Sequence, residues 1–144
     1  MTDDTSERPI GAEEVAAFVP SNMTAIAPDV ARAFAAEWIA AWNAHDLERI
    51  LAHYTDDVTF ASPFVVQIAG EPSGKLTGKA ALRAYWAKGL AMLPELHFTL
   101  LETLVGIGTV TLVYRGHRGV VAEVFTLNAT GHVTSSVACY AIEG

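Results

Sequence analysis

Val30, Phe34, Trp38 and Trp42 recur every four positions in an alanine-rich stretch, which makes one apolar stripe on a helix running from about Pro28 to about Ala44. A stripe of that width needs a large surface to pack on. Asp46 is placed to cap a second helix, DLERILAHY, with Leu47, Ile50, Leu51 and Tyr54 on one side and TDD as its stop. The period then changes. VTFASPF has strand composition up to Pro63, and AGEPSGKLTGK reads as a loop containing a short strand. A third helix follows in KAALRAYWAKGLAML, with Leu82, Tyr85, Trp86, Leu90 and Leu93 on its buried side and Pro94 at its end.

The remainder reads as β. Four strands are expected, at about 95–105, 108–115, 119–127 and 132–142, joined by the turns GIG, GHRG and NATG as consecutive hairpins. In the third of them Val121, Glu123, Phe125 and Leu127 share one face, and Val120, Ala122, Val124 and Thr126 the other. Both faces are apolar enough to require cover. Helices supply it on one side, and a second copy of the chain is the expected cover on the other, making a homodimer through the outer sheet face.

That pattern isolates one residue. Glu123 puts a carboxylate among apolar and β-branched neighbours in VAEVFTL, where an unpaired charge is costly to bury unless it is neutralised, hydrogen-bonded or given a chemical task. Desolvation by Val121, Phe125 and the other apolar walls should raise its pKa from about 4.3, so that it can act as an acid toward a carbonyl oxygen. The structural alternatives are a hydrogen bond to Tyr140, Ser136 or Trp38, or a pairing with Arg115 at the dimer partner. The two kinds of role stay open at this point.

Composition narrows the partners. The chain has 144 residues, 51% of them apolar, enough for one domain with a substantial core. A formal charge of −7 and a pI near 5.1 argue against nucleic acid and anionic membranes and favour a small neutral ligand, expected to be a small apolar ligand. The first 27 residues read as a tail, with GAEEVAAFVP as a short helix closed by Pro20, and residues 28–144 as the domain. The acidic N-terminus does not resemble a secretion signal, no apolar run is long enough to cross a bilayer, and the single Cys139 reads as a core thiol, so a cytoplasmic location is expected.

His45, His53, His97, His117 and His132 form no spacing that would ligate a metal, and no motif calls for a cofactor. His97 alone is a candidate for facing inward from a strand start. The RGHRG turn has the residues to hold an anion, but hairpin-tip charges are ordinarily hydrated. GIG lacks the strand–loop–helix setting of a phosphate loop, and no GxSxG or Cys/His pair supports acyl transfer.

Three phrases, WIAAWNAHDLERILAHYTDDVTFASPF, LTGKAALRAYWAKGL and EVFTLNATGHVTSSVACY, resemble in order and spacing the superfamily of nuclear transport factor 2, ketosteroid isomerase and the SnoaL-type polyketide cyclases. The resemblance implies a cone-shaped α+β fold, three helices on a curved, mostly antiparallel sheet that walls a pocket. It also implies that Glu123, eight residues before Gly131 (131 − 123 = 8), stands where the isomerases keep an acid that donates to the developing enolate. Tyr54 matches a tyrosine of the isomerases' hydrogen-bond network, while Ser62 stands where they have the aspartate base and Trp38 where they have the oxyanion tyrosine. Glu123 and Tyr54 are thus the candidate catalytic residues, and Trp38, Phe60, Ser62, Trp86, Phe125, Ser136 and Tyr140 the candidate ligand contacts. The function implied is isomerisation, cyclisation or dehydration of a polyketide- or steroid-like molecule through an enol. The alternative is a binding or protein-association module without catalysis.

Overall fold

Helix α1 (Pro28–Asn43) begins with proline in its first turn, where no backbone donor is lost, in the computed structural model, which describes residues 26–142. Its buried stripe is Ala31, Phe34, Ala35, Trp38, Ala41 and Trp42. Val30, expected in that stripe, is instead 50% exposed, because Ala31 takes the place one turn before Phe34 and Ala35. Helix α2 (Leu47–Leu51) is capped by Asp46, whose carboxylate accepts from Arg49 N at 3.2 Å. It is shorter than expected: Tyr54 and the TDD that follows open strand β1 (Tyr54–Ala61), since Tyr54 pairs with Val133 in the sheet. The tail and its expected helix, up to residue 25, lie outside the described residues.

A further short helix, α3 (Pro63–Ile68), follows β1. Ser62 is its cap, accepting from Phe64 N at 3.2 Å, with Pro63 in its first turn. Strand β2 (Lys75–Thr77) precedes helix α4 (Lys79–Met92), which turns Leu82 and Trp86 into the core. The meander then runs β3 (Thr99–Gly106), β4 (Thr109–Gly116), β5 (Gly119–Leu127) and β6 (Val133–Tyr140).

One six-stranded sheet results, in the order β2-β1-β6-β5-β4-β3, antiparallel except where β1 runs parallel to β6. The helices pack on its inner face, giving the α+β architecture with a curved, unclosed sheet. The β4–β5 hairpin sets its register with Gly116 opposite Gly119, whose φ of 96° is one that glycine adopts without strain. The faces of β5 alternate as the pattern predicts: Val121, Glu123, Phe125 and Leu127 are buried, whereas Val124 and Thr126 are exposed.

On the outer face Leu104, Thr111, Val124 and Val137 form one row across four strands, and three of the four are apolar and exposed. Cys139 also faces outward and is exposed, not a core thiol, because its neighbours Ala138 and Tyr140 take the inward positions of β6. His97 is likewise exposed and precedes β3. The segment before β3 is fastened to α1 by Asn43, whose Nδ2 donates to Phe98 O at 3.0 Å and whose Oδ1 accepts from Phe98 N at 2.7 Å. Beside it His45 Nε2 lies 2.8 Å from Leu96 O.

Candidate active site

Between α4, the inner sheet face and the β4–β5 hairpin lies an open cavity of about 170 Å³. Trp42, Phe60, Tyr85, Trp86, Val121 and Tyr140 make up much of its wall, and among the described residues Glu123 is the sole carboxylate on it. Gly116 is also on the wall: a Cβ there would come within 3.1 Å of the Phe98 ring, so the missing side chain lets Phe98 lie against the sheet.

Glu123 is 3% exposed and hydrogen-bonded on both oxygens. The Tyr114 hydroxyl donates to Oε1 at 2.8 Å and the Ser136 hydroxyl to Oε2 at 2.6 Å. Neither donor is directly opposite Glu123 in the sheet. Leu112 and Ala138 are, while Tyr114 pairs with Val121 and Ser136 with Phe125, so both reach the carboxyl diagonally across neighbouring strands.

Burial raises the Glu123 carboxyl above its ordinary pKa, and the Ser136 and Tyr114 hydrogen bonds hold it back. The same burial raises the phenols around it. Tyr114 and Tyr54 are pushed well above the usual value, and Tyr140 up to about 12, with Glu123's charge adding to each shift. Tyr85 moves in the same direction for the same two reasons, although the Ser62 hydroxyl opposes it. All four tyrosines of the chain therefore feel the charge of one acid, which Tyr114 alone touches, and stay protonated near neutral pH.

The residues named from the sequence fall into two groups. Glu123, Phe60, Trp86 and Tyr140 are on the cavity wall. Trp38, Tyr54 and Phe125 belong instead to the closed core: Trp38 Nε1 donates to the Tyr54 hydroxyl at 2.9 Å, and the Trp38 ring packs at 5.1 Å from Phe125 and 5.3 Å from Tyr114. Trp38 thus partners Tyr54 and not Glu123. Ser62 and Ser136 touch the site through other groups, Ser62 as the α3 cap and Ser136 as a donor to Glu123. Arg115 is exposed and does not meet Glu123 within the chain.

Tyr114 was missed from the sequence, and the hairpin tip was discounted there. Arg118 and His117 are exposed, as expected of a hairpin tip, and they also border the cavity at its mouth, with Arg118 Cζ 4.7 Å from the centroid of the Phe64 ring. Among the described residues no group of three or more His, Cys, Asp or Glu could hold a metal ion, and no helix is long and apolar enough to cross a membrane.

The SnoaL-like domain model matches residues 35–143. Among solved structures, a SnoaL-like protein of unknown function from Burkholderia thailandensis is similar at 47% identity and a TM-score of 0.79, over 82% of this chain and 99% of that one. A protein provisionally described as a ketosteroid isomerase from Kribbella flavida shares the fold at 17% identity and a TM-score of 0.59, over 81% and 82% of the two chains. A nuclear transport factor 2-like protein from Cytophaga hutchinsonii does so at 15% identity and a TM-score of 0.58, over 85% and 95%. On the domain match and the similarity to the Burkholderia protein, this chain belongs to the SnoaL-like family.

Proposed function

We propose that the cavity binds a small apolar carbonyl compound and that Glu123 moves a proton on it, by way of an enol, in an isomerisation, ring closure or loss of water. The observation that carries this reading is a carboxyl on an apolar cavity wall, the only one there among the described residues, raised in pKa by burial and held in place by two hydroxyls. As the carboxylate it accepts a proton from carbon next to the carbonyl. The hydrogen bond from Tyr114 then weakens, and that hydroxyl, itself on the wall, becomes free to donate to the oxygen on which negative charge collects. Returning the proton at another carbon completes an isomerisation. Ser62 takes no part as a base, because its oxygen caps α3.

The measurement is conversion of cyclohex-3-enone to its conjugated isomer, followed by absorbance. Glu123→Gln is expected to reduce the rate by about 10²–10⁴-fold while folding and ligand affinity are retained. Equal rates for the two proteins sink the proposal. A non-catalytic binding role is favoured by one observation, that both Glu123 oxygens are already paired; it predicts probe binding with no conversion by either protein.

The homodimer belongs to this proposal as well. The row Leu104, Val124 and Val137 on the outer sheet face supports cover by a second copy of the same sheet. Mass measurement in solution tests it, and a monomer at every concentration refutes it.

A further inference from the structure

The cavity has two ends of different chemistry, and the mouth carries a charge that proton transfer at Glu123 does not use. Arg118 is exposed, as a hairpin-tip arginine ordinarily is, and its guanidinium also borders the cavity: it sits on the Phe64 ring at 4.7 Å, and Phe64 packs edge-on at 4.6 Å against Tyr140. Its charge reaches the Tyr140 phenol, whose pKa it opposes raising. The chain is formally −7, yet the Lys and Arg ion pairs among the described residues, Asp29–Arg32, Glu37–Arg49, Asp56–Lys79 and Glu48–Arg83, leave Arg118 out.

At the inner end the situation reverses. Glu123 is a buried carboxyl on the wall, so an anion placed beside it would be repelled as well as desolvated. Gly119, next to Arg118, and Glu123 are four residues apart on β5, or about 13 Å of strand. The cavity, about 170 Å³, is little more than the volume of about 150 Å³ that holds one benzene ring in another protein. It is open at the mouth, so a four-ring steroid would project beyond Arg118.

The geometry points to a ligand class: a one-ring, or comparably short, unsaturated carbonyl compound that bears a carboxylate, its carbonyl end inward at Glu123 and its carboxylate held at the mouth by Arg118. Attraction at the mouth and repulsion at depth act together to fix which end enters. The unsaturated carbonyl end rests on the function proposed above, while the carboxylate end rests on the cavity and Arg118 and not on proton transfer.

The test titrates 3-phenylpropanoate and its neutral analogue 3-phenylpropanamide into the full chain by calorimetry at low salt. The carboxylate is expected to bind about ten-fold more tightly than the amide. Arg118→Gln should cut that preference to less than about two-fold without changing amide affinity, and Arg118→Lys should keep part of it. Glu123→Gln should keep the preference, so loss of turnover and loss of anion selectivity are read separately. Equal binding of the two probes, an undiminished preference in Arg118→Gln, or no binding of either probe would overturn the assignment.

Discussion

Two buried polar arrangements lie in the layer between the helices and the sheet, and they differ in what is left for a ligand. At the closed end, the Trp38 indole donates to the Tyr54 hydroxyl and both are 1% exposed. The pair is neutral and enclosed by rings. At the open end, Glu123 is equally well hydrogen-bonded but ionisable, and it borders the cavity. The first arrangement satisfies itself; the second holds a proton site at the edge of empty space. Hydrogen bonding alone therefore does not separate a structural group from a functional one, whereas charge and access together do.

Tyr54→Phe is the strongest way to break that comparison. It strips the acceptor from a buried indole N–H and should cost about 1–3 kcal/mol of stability, measured by urea unfolding, while conversion per folded molecule stays unchanged. A fall in conversion as large as that in Glu123→Gln would make the closed end part of the site.

A smaller effect is expected from pH. Burial raises the folded-state pKa of Glu123 above the ordinary 4.5, so protonation favours folding. Its contribution is complete below about pH 4.5 and is lost as pH rises through the raised value. Glu37, Glu48 and Glu71 are shifted the other way, by Arg49, Arg83 and Ser73 respectively, but they are shared by the wild type and Glu123→Gln. The difference in urea midpoint between the two proteins should therefore move against the wild type as pH rises, and a difference that is flat with pH would mean that the carboxyl is not desolvated.

The meander was legible because its turns and alternation are local: GHRG and the period of VAEVFTL suffice to aim Glu123 inward. The same turn held the signal for Tyr114, since pairing Gly116 with Gly119 puts Tyr114 opposite Val121 on the inward face. Helix α3 was missed because Pro63 was read only as the end of a strand, although Ser followed by Pro is also how a helix starts. Aromatic periodicity could not tell Trp38 from Trp42. They are one turn apart on α1, and only the path of Phe98 and α4 decides that the first is enclosed and the second reaches the cavity. Cys139 was misplaced for a simpler reason: composition marks a strand as apolar, but parity decides which side each residue takes.

Asn43 gives the rim of this cavity a property of its own. Its amide meets both backbone groups of Phe98, doing with one side chain what a neighbouring strand does elsewhere, and Leu96 and Phe98 on that stretch form part of the wall. That part of the wall is thus held from the C-terminal end of α1, by a residue that does not itself line the cavity. Selection for larger or smaller guests can act there while the acid and its two hydroxyls stay as they are.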